Sequence, residues 1–391
     1  MTASVPHSCF AVATPGFEPV VARELAALGI VPRAPESGGV AFPADDATLF
    51  AANLHLRAAS RVLVRMATFS AKSFAELERR AKTVPWRSYV RPDGAVTFRV
   101  TCRKSRLYHS GAVAERLVKS LAAQLPSARI GTSRAADDEA DESPDGTEAM
   151  IPPQLFVVRF EHDTCTISAD ASGELLHRRG YRLATAKAPI RETIAAGCLL
   201  ALGYDGSRSL ADPMCGSGTF PIEAALIARN IAPGHGRSFA CERWPQFDVS
   251  AIARVRARAA AMVRAAAPAP IHASDRDAGA VEATIANAAR AGVGADLVVT
   301  RCSLSAIEAP VPAGILIANP PYGARVGERT TLRNLYAQFG NVARARFPGW
   351  RVALVLAERS LEAQTRLPLK HVAKFSNGGI RVRLVATEPE T

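Results

Sequence analysis

Residues 208–391 alternate between short apolar segments and amphipathic segments, and this alternation constrains the fold more than any other feature. The apolar segments have the length of strands, and most are followed by a helical pattern. This order is typical of an α/β fold with a doubly wound, mostly parallel sheet, in which ligands bind at the carboxyl ends of the strands. The predicted strands are 209–212, 270–274, 296–300, 314–318, 351–356, 370–375 and 380–386. The predicted helices are 220–232, 278–291, 331–346 and 359–365.

The segment Asn319-Pro320-Pro321-Tyr322 follows the predicted strand 314–318. Neither proline can donate a backbone N–H group, so the strand ends there, and the first proline holds Asn319 in an extended conformation. The segment thus offers an amide, free carbonyl groups and an aromatic ring, which fit a planar base that carries an exocyclic amine. A proline-rich turn with a structural asparagine would also explain the tetrapeptide. Its position at a strand end favours Asn319, Pro320 and Tyr322 as catalytic residues.

A glycine-containing loop follows the predicted strand 209–212. A phosphate-binding loop would end in Gly-Lys-Ser/Thr, and a dinucleotide fingerprint would place a third glycine where this chain has Pro221. S-adenosylmethionine has no phosphate and requires neither feature. We predict that this loop binds it, with an acceptor at the strand end facing its cationic aminopropyl group. The predicted residues are Asp212, Cys215, Gly216, Ser217, Gly218 and Thr219.

Asp275 stands at the end of the predicted strand 270–274. A carboxylate at this position can accept hydrogen bonds from both ribose hydroxyls of a nucleoside cofactor. Asp277 is the alternative, but we expect it to open the next helix, where the helix dipole favours an acid. We therefore assign Asp275 to the cofactor.

Net charge is +12, although residues 137–148 hold seven acidic residues and no basic one. The excess of positive charge over the rest of the chain predicts a polyanionic partner, and RNA is the candidate. Two basic segments could contact it: one lies between a predicted strand (95–102) and helix (110–125), and the other lies at 178–182. Solvated surface arginines would produce the same pattern. The predicted RNA contacts are Lys104, Arg106, Tyr108, Arg178, Arg179 and Arg182.

The seven cysteines are dispersed and form no C-x-x-C pair, so no metal site is predicted. Reduced, dispersed thiols are typical of the cytoplasm. No uncharged run approaches the ~20 residues of a membrane span, and the first 30 residues lack the apolar core of a signal peptide. We expect a cytoplasmic protein without a membrane partner. No sequence feature assigns an oligomeric state.

The whole chain resembles the bacterial large-ribosomal-subunit guanine-N2 methyltransferases that carry an N-terminal THUMP region. The resemblance implies a ferredoxin-like domain (1–68), an RNA-binding THUMP domain (69–170), a linker with a leading helix (171–207), and a Rossmann-like seven-stranded class I methyltransferase domain (208–391). The acidic stretch 131–153 is expected to be a loop inserted in the THUMP domain. The segments that carry the resemblance are Phe17-Glu18 and residues 104–109, 176–182, 188–193, 212–219, 242–245 and 319–323.

The chain departs from this family in two places. Some members carry a second, fused methyltransferase domain, whereas we expect a single such domain in this sequence. Many class I enzymes present an aspartate to the adenine of the cofactor, but this chain has Arg301-Cys302-Ser303 at the corresponding place. The hydroxyl of Ser303 or a backbone carbonyl would therefore make that contact.

The resemblance implies S-adenosylmethionine-dependent methylation of the exocyclic N2 of a guanine, with 23S rRNA as the expected substrate. Relatives of the same architecture modify tRNA, so a tRNA guanine is an alternative. An adenine-N6 methyltransferase is a second, because adenine also carries an exocyclic amine. A third is a catalytically inert RNA-binding factor for ribosome assembly, which the intact Asp212, Gly216, Gly218 and Asn319 disfavour.

Overall fold

Within the part of the chain that the structure describes, two seven-stranded sheets form the scaffold. The structure is a computed structural model that describes residues 6–131, 152–183, 190–321 and 329–388. The predicted catalytic residue Tyr322 and the acidic run 137–148 lie outside the described residues. No helix within those ranges is both long and apolar enough to cross a lipid bilayer.

The N-terminal half is a mixed sheet with its helices packed into a common apolar core. Its strand order is β2-β1-β3-β7-β6-β4-β5, and β4 pairs in parallel with both β5 and β6. The strands are β1 (His7–Ala13), β2 (Gly39–Ala44), β3 (Ala59–Ser70), β4 (Ala95–Arg103), β5 (Arg129–Ile130), β6 (Gln154–Glu161) and β7 (Thr164–Asp170). The helices are α1 (Glu18–Ala27), α2 (Asp46–His55), α3 (Phe74–Ala81) and α4 (Ser110–Gln124).

The long strand β3 pairs with β1 on one side and β7 on the other. It therefore runs through the predicted boundary at residue 68, and both predicted N-terminal domains contribute to one continuous sheet. Helix α4 lies within the predicted range 110–125, and its period-3.6 pattern places Val113, Leu117 and Leu121 in the core. The division of this half into a ferredoxin-like and a THUMP domain stays a prediction at this point.

The C-terminal half is the doubly wound α/β fold that the sequence predicts. Its strand order is β10-β9-β8-β11-β12-β14-β13, and β14 runs antiparallel to both of its neighbours in this sheet. The strands are β8 (Ser209–Asp212), β9 (Ile271–Asp275), β10 (Leu297–Arg301), β11 (Gly314–Ala318), β12 (Trp350–Leu356), β13 (Lys370–Asn377) and β14 (Ile380–Ala386). The helices are α5 (Glu192–Ala201), α6 (Thr219–Ala228), α7 (Val249–Ala261), α8 (Ala278–Arg290), α9 (Arg329–Arg346) and α10 (Arg359–Thr365).

Helix α6 ends four residues before the predicted end at residue 232. Asn230 adopts a left-handed conformation with φ 54°, which cannot continue a helix, and asparagine tolerates that conformation at a helix end. Helix α7 occupies the Ala-rich stretch near residue 251 and ends at Ala261.

The two halves pack directly against each other. The ring of Phe375 in β13 lies 4.9 Å from the ring of Phe17, measured between centroids. Gly16 has φ +100°, and a Cβ atom there would lie 2.0 Å from the carbonyl oxygen of Lys374. Only glycine allows this approach, so the first turn of the N-terminal half is fitted to the last hairpin of the C-terminal half.

Candidate active site

The three strand-end residues predicted to form the site lie on adjacent strands. In the sheet, β8 lies between β9 and β11, so Asp275, Asp212 and Asn319 follow one another in this order along one edge. Neighbouring strands are about 5 Å apart, which places all three positions within the length of a nucleoside. The parallel arrangement thus brings these residues to one crevice.

The glycine loop turns sharply from β8 into α6. Gly216 and Gly218 have φ values of 56° and 86°, and Gly218 is the residue that precedes the first turn of α6. A Cβ atom on Gly218 would lie 2.8 Å from Cγ2 of Thr284. The loop therefore requires glycine for its conformation and for the space beside it, which leaves a cradle of backbone against which a cofactor can pack.

Asp275 holds this loop in place. Its Oδ2 accepts a hydrogen bond from the N–H of Gly216 at 3.0 Å, and its Oδ1 accepts one from the N–H of Asp277 at 3.0 Å. Each carboxylate oxygen keeps a further lone pair for a ribose hydroxyl. The side chain of Asp277 caps α8 by accepting from the N–H of Ala280 at 3.0 Å, which confirms its predicted place at the helix start.

Asp212 is almost completely buried beside the loop. Its Oδ1 accepts a hydrogen bond from the N–H of Met214 at 3.0 Å. Burial raises the pKa of this carboxyl group to about 8, the Met214 bond partly offsets that rise, and the nearby charge of Asp275 adds to it. Such a group becomes ionised when a cationic ligand binds next to it. Asp212 therefore suits the cationic end of S-adenosylmethionine.

The side chain of Cys215 packs inside the loop, with Sγ 3.5 Å from Oγ1 of Thr284. Burial raises the pKa of its thiol well above the ordinary value, so the thiol stays neutral. Ser217 and Thr219 are also buried, which fits residues that shape the loop.

Asn319 directly follows β11, and the environment of its side-chain oxygen is unusual. Its Oδ1 is buried and has no hydrogen-bond partner among the described residues. A buried acceptor without a partner costs about 1–3 kcal/mol, so an incoming N–H donor would be stabilised there. Pro320 beside it is buried. The arrangement is suited to a ligand that brings an amino group.

A cleft of about 350 Å³ opens beside Asp212, between the ends of β8, β9 and β10. Pro213, Ser274 and Cys302 are among its lining residues. This volume is within the range of small-molecule sites. Ser303, predicted to contact adenine, is exposed, and its Oγ lies 3.1 Å from Oγ of Ser305.

The predicted RNA contacts between β4 and α4 are presented to solvent. Lys104 and Arg106 are exposed, and Tyr108 is 68% exposed, with its ring 4.0 Å from the ring of His109. The backbone of this turn is fixed, because the N–H of Arg106 donates to Oδ1 of Asp163 at 2.7 Å. The turn therefore offers two cations and an aromatic ring on a defined backbone.

The prediction that Arg179 contacts RNA is wrong. Its side chain is buried, its guanidinium lies 2.5 Å from Oε2 of Glu223, and it also donates to the carbonyl oxygen of Arg57. The prediction for Arg182 needs the same correction. Its guanidinium pairs with Glu192 at 3.2 Å and donates to the carbonyl oxygen of Ile190, so both arginines stabilise the fold. Arg178 is partly exposed, and its contact with RNA stays a prediction.

Two polar residues of α8 also belong to the site. Thr284 and Asn287 are fully buried and donate hydrogen bonds to carbonyl oxygens of the glycine loop. Sequence reasoning missed them because polar residues in an Ala-rich helix resemble surface positions. The only sequence signal is their i, i+3 spacing, which puts them on one face of the helix.

The strand order, the glycine loop and the strand-end carboxylates together define a class I methyltransferase that uses S-adenosylmethionine. Residues 179–385 match the family model described as RMKL-like, methyltransferase domain, and residues 8–63 match the one described as RlmL ferredoxin-like domain. The chain belongs to the family of RMKL-like methyltransferases.

Sequence matches to known relatives cover almost all of the chain. A protein of Synechocystis sp., provisionally named RNA methyltransferase slr0064, is 34% identical over 382 residues, which cover 97% of this chain and 96% of the relative. The ribosomal RNA large subunit methyltransferase K/L of Syntrophotalea carbinolica is 35% identical over 97% of this chain, but the match covers 53% of that protein. This chain thus spans about half the length of the K/L relative.

A solved structure connects the fold to the cofactor. SMU.472, provisionally identified as a methyltransferase and crystallised with S-adenosylhomocysteine, superposes with a TM-score of 0.85 at 28% identity, over 100% of both chains. The prediction of S-adenosylmethionine as the cofactor is confirmed by the family and by this neighbour. The ferredoxin-like character of the first domain is confirmed by the match over residues 8–63.

Proposed function

We propose that this protein transfers a methyl group from S-adenosylmethionine to the exocyclic N2 of a guanine in RNA, with 23S rRNA as the substrate. The observation that carries the proposal is the buried Oδ1 of Asn319, which has no partner in the described part of the chain. It lies at the end of β11, next to the strand that leads into the glycine loop. An amine donor is the complementary group for this acceptor.

The lone pair of a guanine N2 is conjugated with the ring, which makes the amine a poor nucleophile. An acceptor that binds its N–H groups localises this lone pair and orients it. We assign this role to the side-chain oxygen of Asn319 and the carbonyl oxygen of Pro320. Tyr322 would stack on the base, which is worth about 1–3 kcal/mol. The base must leave its stack to reach the crevice.

The cofactor would be held by the glycine loop and the two strand-end acids. The backbone of Gly216 and Gly218 would pack against it, Asp275 would accept from the ribose hydroxyls, and Asp212 would face the cationic end. When bound, S-adenosylmethionine supplies a methyl group on an activated sulfonium. The remaining task of the chain is therefore to orient the amine, which can account for much of the rate enhancement.

RNA as the substrate class is supported by three observations. The net charge is +12, the exposed turn that contains Lys104, Arg106 and Tyr108 suits a phosphate backbone, and the relatives carry RNA methyltransferase names. The K/L relatives suggest ribosomal RNA of the large subunit in particular.

The test is product analysis with the purified protein. Unmodified 23S rRNA and unmodified tRNA are each incubated with S-adenosylmethionine, and the nucleosides are then separated and identified. We expect N2-methylguanosine in 23S rRNA and none in tRNA. Asn319→Ala should bind the cofactor normally but lose about 10²–10³ in rate, as when one preorganised polar group is removed. N6-methyladenosine, or methylation of tRNA alone, would overturn the proposal.

A further inference from the structure

The carbonyl groups of the glycine loop are held from behind by α8. We propose that Thr284 and Asn287 are positioning residues that fix this loop in the conformation that receives S-adenosylmethionine. The inference rests on the proposed cofactor site at the loop. Both side chains are fully buried behind the loop, so their effect on the cofactor would be exerted through the loop backbone.

Besides its contact with the thiol of Cys215, Thr284 holds the loop at both glycines. Its hydroxyl donates a hydrogen bond to the carbonyl oxygen of Gly216 at 2.9 Å. Its Cγ2 occupies the space next to Gly218, where an added Cβ atom would come within 2.8 Å. One side chain therefore sets the direction of a peptide group and also closes the space in which the loop could shift.

Asn287 holds the next peptide group. Its Nδ2 donates to the carbonyl oxygen of Ser217 at 2.9 Å. Its Oδ1 accepts from the guanidinium of Arg290, which in turn donates to the carbonyl oxygen of Tyr181 at 2.8 Å. The contact with Arg290 fixes which side of the amide is oxygen, so the donor must face the loop.

Successive peptide groups of the loop are thus held from two sides. Asp275 binds the N–H of Gly216, Thr284 binds its carbonyl oxygen, and Asn287 binds the carbonyl oxygen of Ser217. Because a trans peptide directs its C=O and N–H in opposite directions, fixing these carbonyls toward α8 turns the next N–H groups away from it. A loop with two glycines would otherwise sample many conformations, and a cofactor would bind only a fraction of them.

The experiment separates the hydroxyl of Thr284 from its methyl group. Thr284→Val keeps the shape but removes the donor, and Thr284→Ser keeps the donor. Calorimetry with S-adenosylhomocysteine should give a Kd about tenfold higher for Thr284→Val and for Asn287→Ala, because a buried carbonyl group loses its partner. Thr284→Ser should remain within about threefold of the wild type. The KM for the cofactor should rise accordingly, while kcat at saturating cofactor and the KM for RNA change little.

Matched controls lie in other parts of the chain. Thr365 is fully buried at the end of α10, and its hydroxyl donates to the carbonyl oxygen of Glu362 at 2.8 Å. Asn53 is buried in α2 and donates to the carbonyl oxygen of Leu49 at 3.0 Å. Thr365→Val and Asn53→Ala should lower the thermal midpoint as much as the test variants do, with an unchanged Kd for S-adenosylhomocysteine.

The outcomes are distinguishable. If Thr284→Val and Asn287→Ala lower the thermal midpoint like the controls but bind S-adenosylhomocysteine as the wild type does, the two residues are only structural and the inference is wrong. If one of these two variants fails to fold, the Kd of the other for S-adenosylhomocysteine decides whether the inference holds. Asp275→Ala is measured in parallel. If it too binds normally, the glycine loop is not the cofactor site, and it is the proposed site that fails.

Discussion

Two basic segments of similar composition differ in their exposure in this protein. The β4–α4 turn (residues 103–109) presents Lys104 and Arg106 to solvent. The basic segment of the linker (residues 178–182) instead buries Arg179 and most of Arg182 against carboxylates. The fold leaves the two side chains of the turn exposed, while α5 and α6 bring Glu192 and Glu223 to the segment 178–182. A run of positive charge therefore indicates an RNA-binding surface only where the fold keeps its side chains in solvent.

The largest effect should come from breaking the buried pair of the linker. Arg179→Ala removes the ion-pair partner of the buried Glu223, which keeps the hydroxyl of Tyr181 at 2.9 Å and the nearby charge of Arg57. It should lower the free energy of unfolding by about 3–5 kcal/mol. Urea denaturation measures this loss. The double variant Arg179→Met with Glu223→Leu should recover part of it, because the buried carboxylate is removed together with its ion-pair partner. Equal stability of the wild type and Arg179→Ala would contradict the structural role of the linker.

The linker should also make stability depend on pH. Burial raises the pKa of Glu192 from its ordinary 4.5 to about 7, although the charge of Arg182 partly offsets this rise. The folded protein therefore binds a proton that the unfolded chain releases between these two pH values. This contribution to stability is complete below about pH 4.5 and is lost as pH rises through 7, with an upper limit of roughly 3 kcal/mol.

Glu192→Gln isolates this dependence from that of other groups. The unfolding free energy of the wild type should fall relative to that of Glu192→Gln as pH rises from 5 to 8, because only the wild type has a carboxyl group to ionise at this position. Lys104→Ala, in the turn, serves as the control and should show a constant difference over the same range. A constant difference for Glu192→Gln as well would mean that its carboxyl group titrates alike in the folded and unfolded states.

In the turn, substitutions should change RNA affinity and leave stability unchanged. Replacing Lys104 and Arg106 together by alanine should weaken RNA binding about tenfold at moderate salt. For each cation that no longer binds a phosphate, the slope of log K against log[salt] should also flatten by about 0.7–0.9. Filter binding over a salt series measures both quantities. Unchanged affinity across the series would place RNA recognition elsewhere, and Arg178 would be the next residue to replace.

The same contrast shows what the sequence can predict. Strands β8 and β11 have the predicted bounds, and Asp277 caps the predicted helix, because apolar runs, prolines and capping residues act within a few positions of each other. Residue pairs that are distant in the sequence and meet only in the folded protein could not be predicted. Arg179 and Glu223 are 44 residues apart, and Thr284 lies 68 residues from Gly216.

The placement of Asp212, Asp275 and Asn319 along one edge of the sheet was accessible to prediction because each of the three stands at or directly after a strand end. In a parallel sheet, neighbouring strands deliver their carboxyl ends to one edge, so three local signals combine without knowledge of any long-range contact. No comparable rule predicts the exposure of side chains in the linker. Whether a basic side chain there is exposed depends on which helix packs over it, and the residues of the linker carry no sign of that helix.

The smallest expected effect concerns the ring of Tyr108. This ring is 68% exposed and lies beside His109, so the fold gains little from it, and an unpaired base could stack on it. Tyr108→Ala should weaken RNA binding by a few fold, near the lower end of the ~1–3 kcal/mol per stacked base, with the salt slope unchanged because the substitution removes no charge. Tyr108→Phe should bind like the wild type. If Tyr108→Ala instead flattens the salt slope, the ring acts by holding the neighbouring cations in place, and the turn recognises phosphate alone.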